Sequence, residues 1–310
     1  MPSEVPRAIV VRPIPPFRLD LTVWALRRRA RNAIDRWDGA TYRRLVVVGR
    51  RRTELAVRQE GTPGAPRLVV TATPSLRTTS ERRRVRAIVG RVLGPHVDLR
   101  EWHQMADRDR HLRTLATRFR GAKPPRFPTV FETLVNGFAC QQLSLAVGLE
   151  LLNRLAVVCN VRRQTGRTMA YAFPSPRDVA RLPPSSFHAI GFSRQKVRAL
   201  LALARGIDRR GLDVERPPGK DDRIRSRLLE LRGVGRWTAE YVLLRGLGRL
   251  DVFPGDDVGA QTSLARWLGL SGRLDYGDVS KAVEAWQPYA GMVYFHLLLD
   301  GLSKAGALDE

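Results

Sequence analysis

The sequence predicts an α+β protein, with a small α+β domain over residues 1–110 followed by a larger all-helical domain over residues 111–310. Three observations carry this. Short runs rich in β-branched residues, divided by Gly, Pro or charged turns, cluster before residue 75. After residue 110 strand signals nearly vanish, apolar residues recur at helical spacing, and each segment opens on a cap or a Pro. A chain of 310 residues, 43 % hydrophobic and 27 % charged, is long enough for two domains with their own cores.

In chain order, AIVVRPI from Ala8, RRLVVVG from Arg43, ELAVRQ from Glu54 and RLVVTATP from Arg67 are the expected strands. DLTVWALRRRARNAI, with apolar residues at Leu21, Trp24, Ala25 and Leu26, is a helix laid among them. Helices follow over 80–94 and 99–106. FPTVFETLVNGFACQQLSLAVGLELLNRLAVVC, apolar over most of its surface, predicts a buried helix or helix pair broken near Gln141 to Ser144. Further helices open at Ser175, Pro183, Ser193 and Asp221, and two more close the chain.

Charge narrows the function. Lys and Arg number 54 against 30 Asp and Glu, a net +24 that favours a polyanionic partner such as nucleic acid. Only five of the 54 are Lys, so part of the excess is compositional habit. The clusters Arg27 to Arg29, Arg50 to Arg52 and Arg82 to Arg84 are expected to be solvated faces. Cys140 and Cys159 lie in apolar stretches and are expected to be buried free thiols, too few for a metal cluster or disulfide framework. The N-terminal stretch lacks a signal-peptide run, and no segment reaches the roughly 18 apolar residues of a membrane helix. A cytoplasmic protein without a membrane association is expected.

Residues 231–261, LRGVGRWTAEYVLLRGLGRLDVFPGDDVGAQ, hold the chemistry. Gly233, Val234 and Gly235 stop one helix and start the next near Arg236; such a turn leaves amides uncovered at a helix N-terminus, where a phosphate can sit. Arg232 and Arg236 flank it, which suits binding of a DNA backbone without reading its sequence. Asp256 and Asp257 then stand at a helix start, where one of the pair is enough for capping. A second carboxylate, held ionised by the positive helix end, is suited to stabilising a developing positive charge or activating water. Trp237 and Tyr241 lie four apart on one helix and project to one side. On spacing alone they are ordinary core aromatics.

The run LRGVGRWTAEYVLLRG followed by DVFPGDD resembles the helix-hairpin-helix (HhH-GPD) DNA glycosylases, and within them the AlkA type, the DNA-3-methyladenine glycosylase II enzymes. FACQQLSLAVG, FPSPRDVARL, IGFSRQKVRAL and the closing WQPY with His296 match in the same order, so the resemblance covers nearly the whole chain. It implies a helix-hairpin-helix glycosylase domain over 111–310 and a monofunctional glycosylase of base excision repair. Such an enzyme hydrolyses the N-glycosidic bond of alkylated, cationic purines in duplex DNA by base flipping. Asp257 takes the catalytic position, counted from Trp237, and Asp256 becomes the neighbouring cap. Trp237 and Tyr241 become walls of the base pocket, attracting a cationic base through their ring quadrupoles.

The same resemblance makes Arg232, Gly233, Val234, Gly235 and Arg236 the DNA-binding hairpin and Gln142, with Gln141 beside it, the wedge that fills the gap left by the flipped nucleotide. The lyase branch has a lysine nucleophile where this chain has Trp237; without that amine no Schiff base forms. Leu298 stands where related enzymes can place an aromatic. His296 is expected to be a core histidine, and the N-terminal domain to contribute little to the chemistry. The resemblance implies a monomer acting on double-stranded DNA, no resident metal and no required cofactor, with room for a monovalent cation at the hairpin backbone. Two rivals are a bifunctional glycosylase and AP lyase acting on oxidised bases, which needs a lysine at 237, and a non-catalytic DNA-binding protein, which leaves Asp257 without a purpose.

Overall fold

The computed structural model describes residues 8–165, 168–209 and 211–308. Its N-terminal part is an antiparallel sheet of order β1-β5-β4-β3-β2, built from β1 (Ile9–Val11), β2 (Arg36–Trp37), β3 (Thr41–Val48), β4 (Arg51–Glu60) and β5 (Arg67–Thr73). Alternation sets its buried face: Val46, Val48, Leu55, Val57, Leu68 and Val70 all turn inward. That face packs on α1 (Leu19–Arg27) and α2 (Thr79–Leu93), the latter opened by a capping box of Thr78 and Glu81. Each such buried aliphatic side chain contributes about 1.5–3 kcal/mol.

The sequence predicts that α1 runs to about Ile34, but it ends at Arg27. Arg28 takes the left-handed conformation at φ 63°, which closes the helix and turns its own side chain inward. Arg27 and Arg28 are each only 5 % exposed. The expectation of a solvated face is therefore wrong for these two, whereas Arg50, Arg52, Arg83 and Arg84 are exposed.

After α3 (Arg100–Arg108) and α4 (Leu112–Arg118), the central helix α5 (Val130–Cys140) is followed by α6 (Leu145–Cys159), with the break at Gln141 to Ser144 as expected. The rest is not all-helical. A two-stranded antiparallel ribbon, β6 (Arg162–Thr165) and β7 (Thr168–Tyr171), interrupts it, and Ala172 bridges to Leu45 of β3. The ribbon is short and polar, RRQT and TMAY, so it lacks the apolar alternation by which a strand is recognised. α7 (Pro176–Ala180), α8 (Pro184–Ala189) and α9 (Arg194–Asp208) follow, then α10 (Asp221–Leu229), α11 (Arg236–Val242), α12 (Val258–Leu268), α13 (Tyr276–Val283) and α14 (Ala290–Lys304).

Two apolar clusters fill the helical body. One gathers α5, α6, α9 and the hairpin; the other gathers α3, α4, α12 and α14, and reaches back to Leu21, Trp24 and Ala25 of α1. Gly137 lets α5 and α11 approach: a Cβ there would lie 2.9 Å from Thr238 Cγ2. His296 is 1 % exposed, with Nδ1 2.8 Å from the Met292 carbonyl, and burial pushes its pKa down to about 4, as befits a core histidine. Cys140 and Cys159 are free but half-buried. No helix among the described residues is long and apolar enough to cross a membrane.

A buried polar network ties the sheet to α5. Arg44, 2 % exposed, donates to Asp35 at 2.6 Å and to both oxygens of Glu132 at 2.6 Å, while the Tyr42 hydroxyl donates to Asp35 at 2.7 Å. Removing the cation strands two buried carboxylates. Arg44→Met is expected to lower the unfolding free energy by about 3–5 kcal/mol in chemical denaturation, and Arg44→Met with Glu132→Leu to recover part of that loss.

Candidate active site

The hairpin is the turn between α10 and α11. Gly233 has φ +81°, and a Cβ on it would fall 2.7 Å from the Ala199 Cβ, so both conformation and space demand glycine. Gly235 is extended at φ −102° with open space around its Cα. Val234 is 8 % exposed and plugs the turn into the core, leaving Arg232, Gly233 and Gly235 at the surface. Arg236 is committed elsewhere. Its guanidinium donates to Asp256 at 2.7 and 2.9 Å and lies 3.7 Å from the Tyr276 ring centroid.

That pairing corrects the division of labour expected for the two aspartates. Asp256 does not cap the helix; it faces Arg236 across the turn. Asp257 is the N-cap of α12, its Oδ1 accepting from Ala260 N at 3.0 Å. Its other oxygen, Oδ2, accepts from Trp237 Nε1 at 3.2 Å and from the Tyr294 hydroxyl at 3.0 Å. One carboxylate thus caps α12 with one oxygen and accepts from side chains of α11 and α14 with the other. Burial, and then the Asp257 charge, hold the Tyr294 phenol well above its usual range, so it stays a donor.

The loop before Asp257 is fixed at Gly255. Its N–H donates to Glu240 Oε2 at 3.1 Å, and its carbonyl accepts from Gln261 Nε2 at 2.8 Å. Glu240 is 3 % exposed and also accepts from the Tyr276 hydroxyl at 2.6 Å; burial raises its pKa. α11 therefore grips the loop from one end while α12 begins at the other.

Trp237 and Tyr241 stack at 5.3 Å between ring centroids and 27° between planes. Trp237 is partly exposed and Tyr241 is 2 % exposed, so Trp237 offers the accessible face and Tyr241 forms the layer beneath. After α11 the chain makes a π-helical turn, Leu243–Leu247, which sends Arg245 into the interior.

The α5–α6 loop lies beside the hairpin. Gln141 is tied down, its Nε2 donating to the Gly233 carbonyl and the Thr238 hydroxyl, each at 2.8 Å. Lys196 secures the same loop through the carbonyls of Ala139 at 3.1 Å and Gln141 at 2.8 Å. Gln142, left-handed at φ 56°, is exposed at the tip with Leu143, 42 % exposed, next to it. Among the described residues no three His, Cys, Asp or Glu side chains are grouped to hold a metal ion.

Sequence reasoning did not find Tyr294, Glu240 or Arg28. Glu240 shares α11 with Trp237 and Tyr241, but nothing in its spacing marks it as a loop anchor. Tyr294 and Arg28 come from distant parts of the chain and are assembled only by folding.

Comparison with known proteins agrees with this geometry. Residues 135–288 match the family described as HhH-GPD superfamily base excision DNA repair protein. The DNA-3-methyladenine glycosylase of Bacillus subtilis (strain 168) is 26 % identical over 201 residues, 64 % of this chain and 66 % of that protein. A probable bifunctional transcriptional activator/DNA repair enzyme AlkA of Mycobacterium tuberculosis (strain ATCC 25618 / H37Rv) is 31 % identical over 192 residues, 61 % of this chain and 37 % of that protein. The chain thus spans just under two thirds and about a third of these two relatives. A solved 3-methyladenine DNA-glycosylase from Archaeoglobus fulgidus shares the fold at a TM-score of 0.82, with 22 % identity over 94 % of this chain and 97 % of that one. The hairpin and the helix-capping aspartate both fall within the matched stretch, and residues 135–288 belong to the HhH-GPD superfamily of base excision DNA repair proteins.

Proposed function

We propose that the chain is a monofunctional DNA glycosylase that hydrolyses the N-glycosidic bond of alkylated purines in duplex DNA by base flipping. The observation that carries this reading is the carboxylate of Asp257, aimed by donors from three helices with one edge turned to Trp237. Exposed Gly233 and Gly235 amides with Arg232 suit a backbone phosphate, and the extruded nucleotide is then set between hairpin and α12. Gln142 at the α5–α6 tip suits the space that the nucleotide leaves.

Alkylation at a ring nitrogen makes the base a good leaving group, so the enzyme's task is to stabilise the sugar as positive charge develops on it. A fixed carboxylate does this without reorganising at the moment of reaction. Water then adds to the sugar carbon. One chain supplies every group named, so the reading needs no second copy, and the absence of apolar spans among the described residues fits a cytoplasmic setting.

A lyase step needs an amine. Trp237 stands where the lyase branch has lysine, Lys196 is bound to two loop carbonyls, and Lys123 is 1 % exposed with its Nζ 2.8 Å from the Val97 carbonyl. With alkylated DNA the protein is expected to yield free base and intact abasic strands that break only on heating in alkali. Borohydride present during the reaction is expected to trap nothing, and a covalent protein–DNA adduct would show an imine and contradict the reading.

Asp257→Asn is expected to cut base release by at least ~10²–10³-fold, as loss of a fixed transition-state group does; Asn keeps the cap through Oδ1, while its amide NH2 meets the Trp237 and Tyr294 donors, so the melting curve separates lost charge from lost packing. Asp256→Asn removes only an exposed pair with Arg236 and is expected to cost less than about tenfold. Single-turnover rates with melting curves of both variants check this; the reverse order would move the catalytic assignment to Asp256.

A further inference from the structure

Asp257 owes its place to the turn in front of it. Its N–H donates to the Pro254 carbonyl at 3.0 Å, closing a turn with Gly255 and Asp256 inside. Open space borders that turn twice. The lining of a groove of about 560 Å³ includes Asp256, Arg236, Gln261 and Tyr276, and that of a cavity of about 230 Å³ includes Gly255, Glu240, Phe253 and Tyr276. A loop in a close-packed interior is held by the atoms around it; this one is not enclosed in that way and needs other restraints.

Polar contacts supply them. Arg236 and Glu240 lie four apart on α11 and both meet the turn. The Arg236–Asp256 pair is exposed, at 52 % and 32 % for the two side chains, and holds weakly. Glu240 is buried. Its Oε2 accepts from the Gly255 N–H at 3.1 Å and its Oε1 from the Tyr276 hydroxyl at 2.6 Å, and hydrogen bonds to a carboxylate are the stronger kind. The Tyr276 ring in turn closes on Gly255, where a Cβ would lie 2.7 Å from the ring Cδ2. One carboxylate therefore fixes both the Gly255 amide and the ring packed against it.

The restraint matters because of where the chain goes next. Asp257 stands two residues beyond Gly255, and a preorganised charge loses its effect when it shifts by about an ångström. The bonds already described do not fix its backbone. Trp237 and Tyr294 reach only Oδ2, and the Ala260 and Gln261 amides that bind its Oδ1 and carbonyl belong to α12, which begins at Asp257 and moves with it.

Resting on the glycosylase reading above, we propose that Glu240 is a positioning residue for the reaction, acting through Gly255 to fix the place of the Asp257 carboxylate. It touches neither the base nor the sugar. Its contribution is to the rate of bond cleavage and not to the binding of DNA, since the turn it clamps carries the charge while the hairpin carries the phosphate contact.

The test measures single-turnover release of 7-methylguanine from a duplex, with affinity for a tetrahydrofuran duplex alongside. Glu240→Ala is expected to lower the rate at least ~30-fold with affinity within ~threefold of wild type. Glu240→Gln, which keeps an acceptor for the Gly255 amide and a partner for the Tyr276 hydroxyl, is expected to restore most of that rate. The deciding comparison repeats Glu240→Ala in the Asp257→Asn protein, where a residue acting only through the Asp257 charge has nothing left to act on and is expected to change the rate less than ~threefold. A larger loss there shows a role apart from Asp257 and overturns the proposal, as does a Glu240→Ala rate within ~threefold of wild type. If Glu240→Ala does not fold, Tyr276→Phe, which removes one bond of the clamp, decides by the same comparison: a loss of at least ~fivefold in wild type and none in Asp257→Asn supports the proposal, and any other pattern overturns it. Wild type that releases no 7-methylguanine overturns the glycosylase reading itself.

Discussion

Three donors on one carboxylate organise this protein. Asp257 receives the Ala260 amide, the Trp237 indole and the Tyr294 hydroxyl, which belong to α12, α11 and α14. For these to meet, the hairpin must turn at Gly233, the loop at Gly255 must be held by Glu240 and Gln261, and α14 must pack beside α12. A shift of an ångström in any of them would misplace the charge, and misplacement on that scale is costly in a preorganised site.

The N-terminal sheet is joined to this assembly by arginines rather than by apolar contact alone. Arg44 reaches Glu132 at the start of α5, and Arg28 reaches Asn136 one turn further on. Both are buried, and both come from a part of the chain whose arginines look like solvent-exposed charge in sequence. The two differ in electrostatics. Arg44 is neutralised by two carboxylates, whereas Arg28 has only neutral partners, so its charge is felt by the aromatic pair next to it.

Local signals in the sequence located the hairpin, the α5–α6 break and the helix start at Asp257, because glycine turns, caps and apolar periodicity are written over a few neighbouring residues. The resemblance to a known family singled out Asp257 from Asp256, yet capping went to the other aspartate than expected, since a cap rule does not register that one carboxylate can serve two partners. The β6–β7 ribbon escaped notice because RRQT and TMAY pair through backbone and not through an apolar face. Arg28 and Tyr294 could not be read at all: their partners are 213 and 37 residues away, and only the packed fold brings them together.

The account rests on Asp257 stabilising positive charge on the sugar, and binding tests that without any reaction. Affinities would be measured for duplexes carrying either a tetrahydrofuran abasic site or a pyrrolidine ring protonated at the sugar position, an analogue of the charge at the transition state. Wild type is predicted to prefer the cationic ring by well over ~tenfold and Asp257→Asn to bind the two alike. A preference that survives in Asp257→Asn would contradict the account.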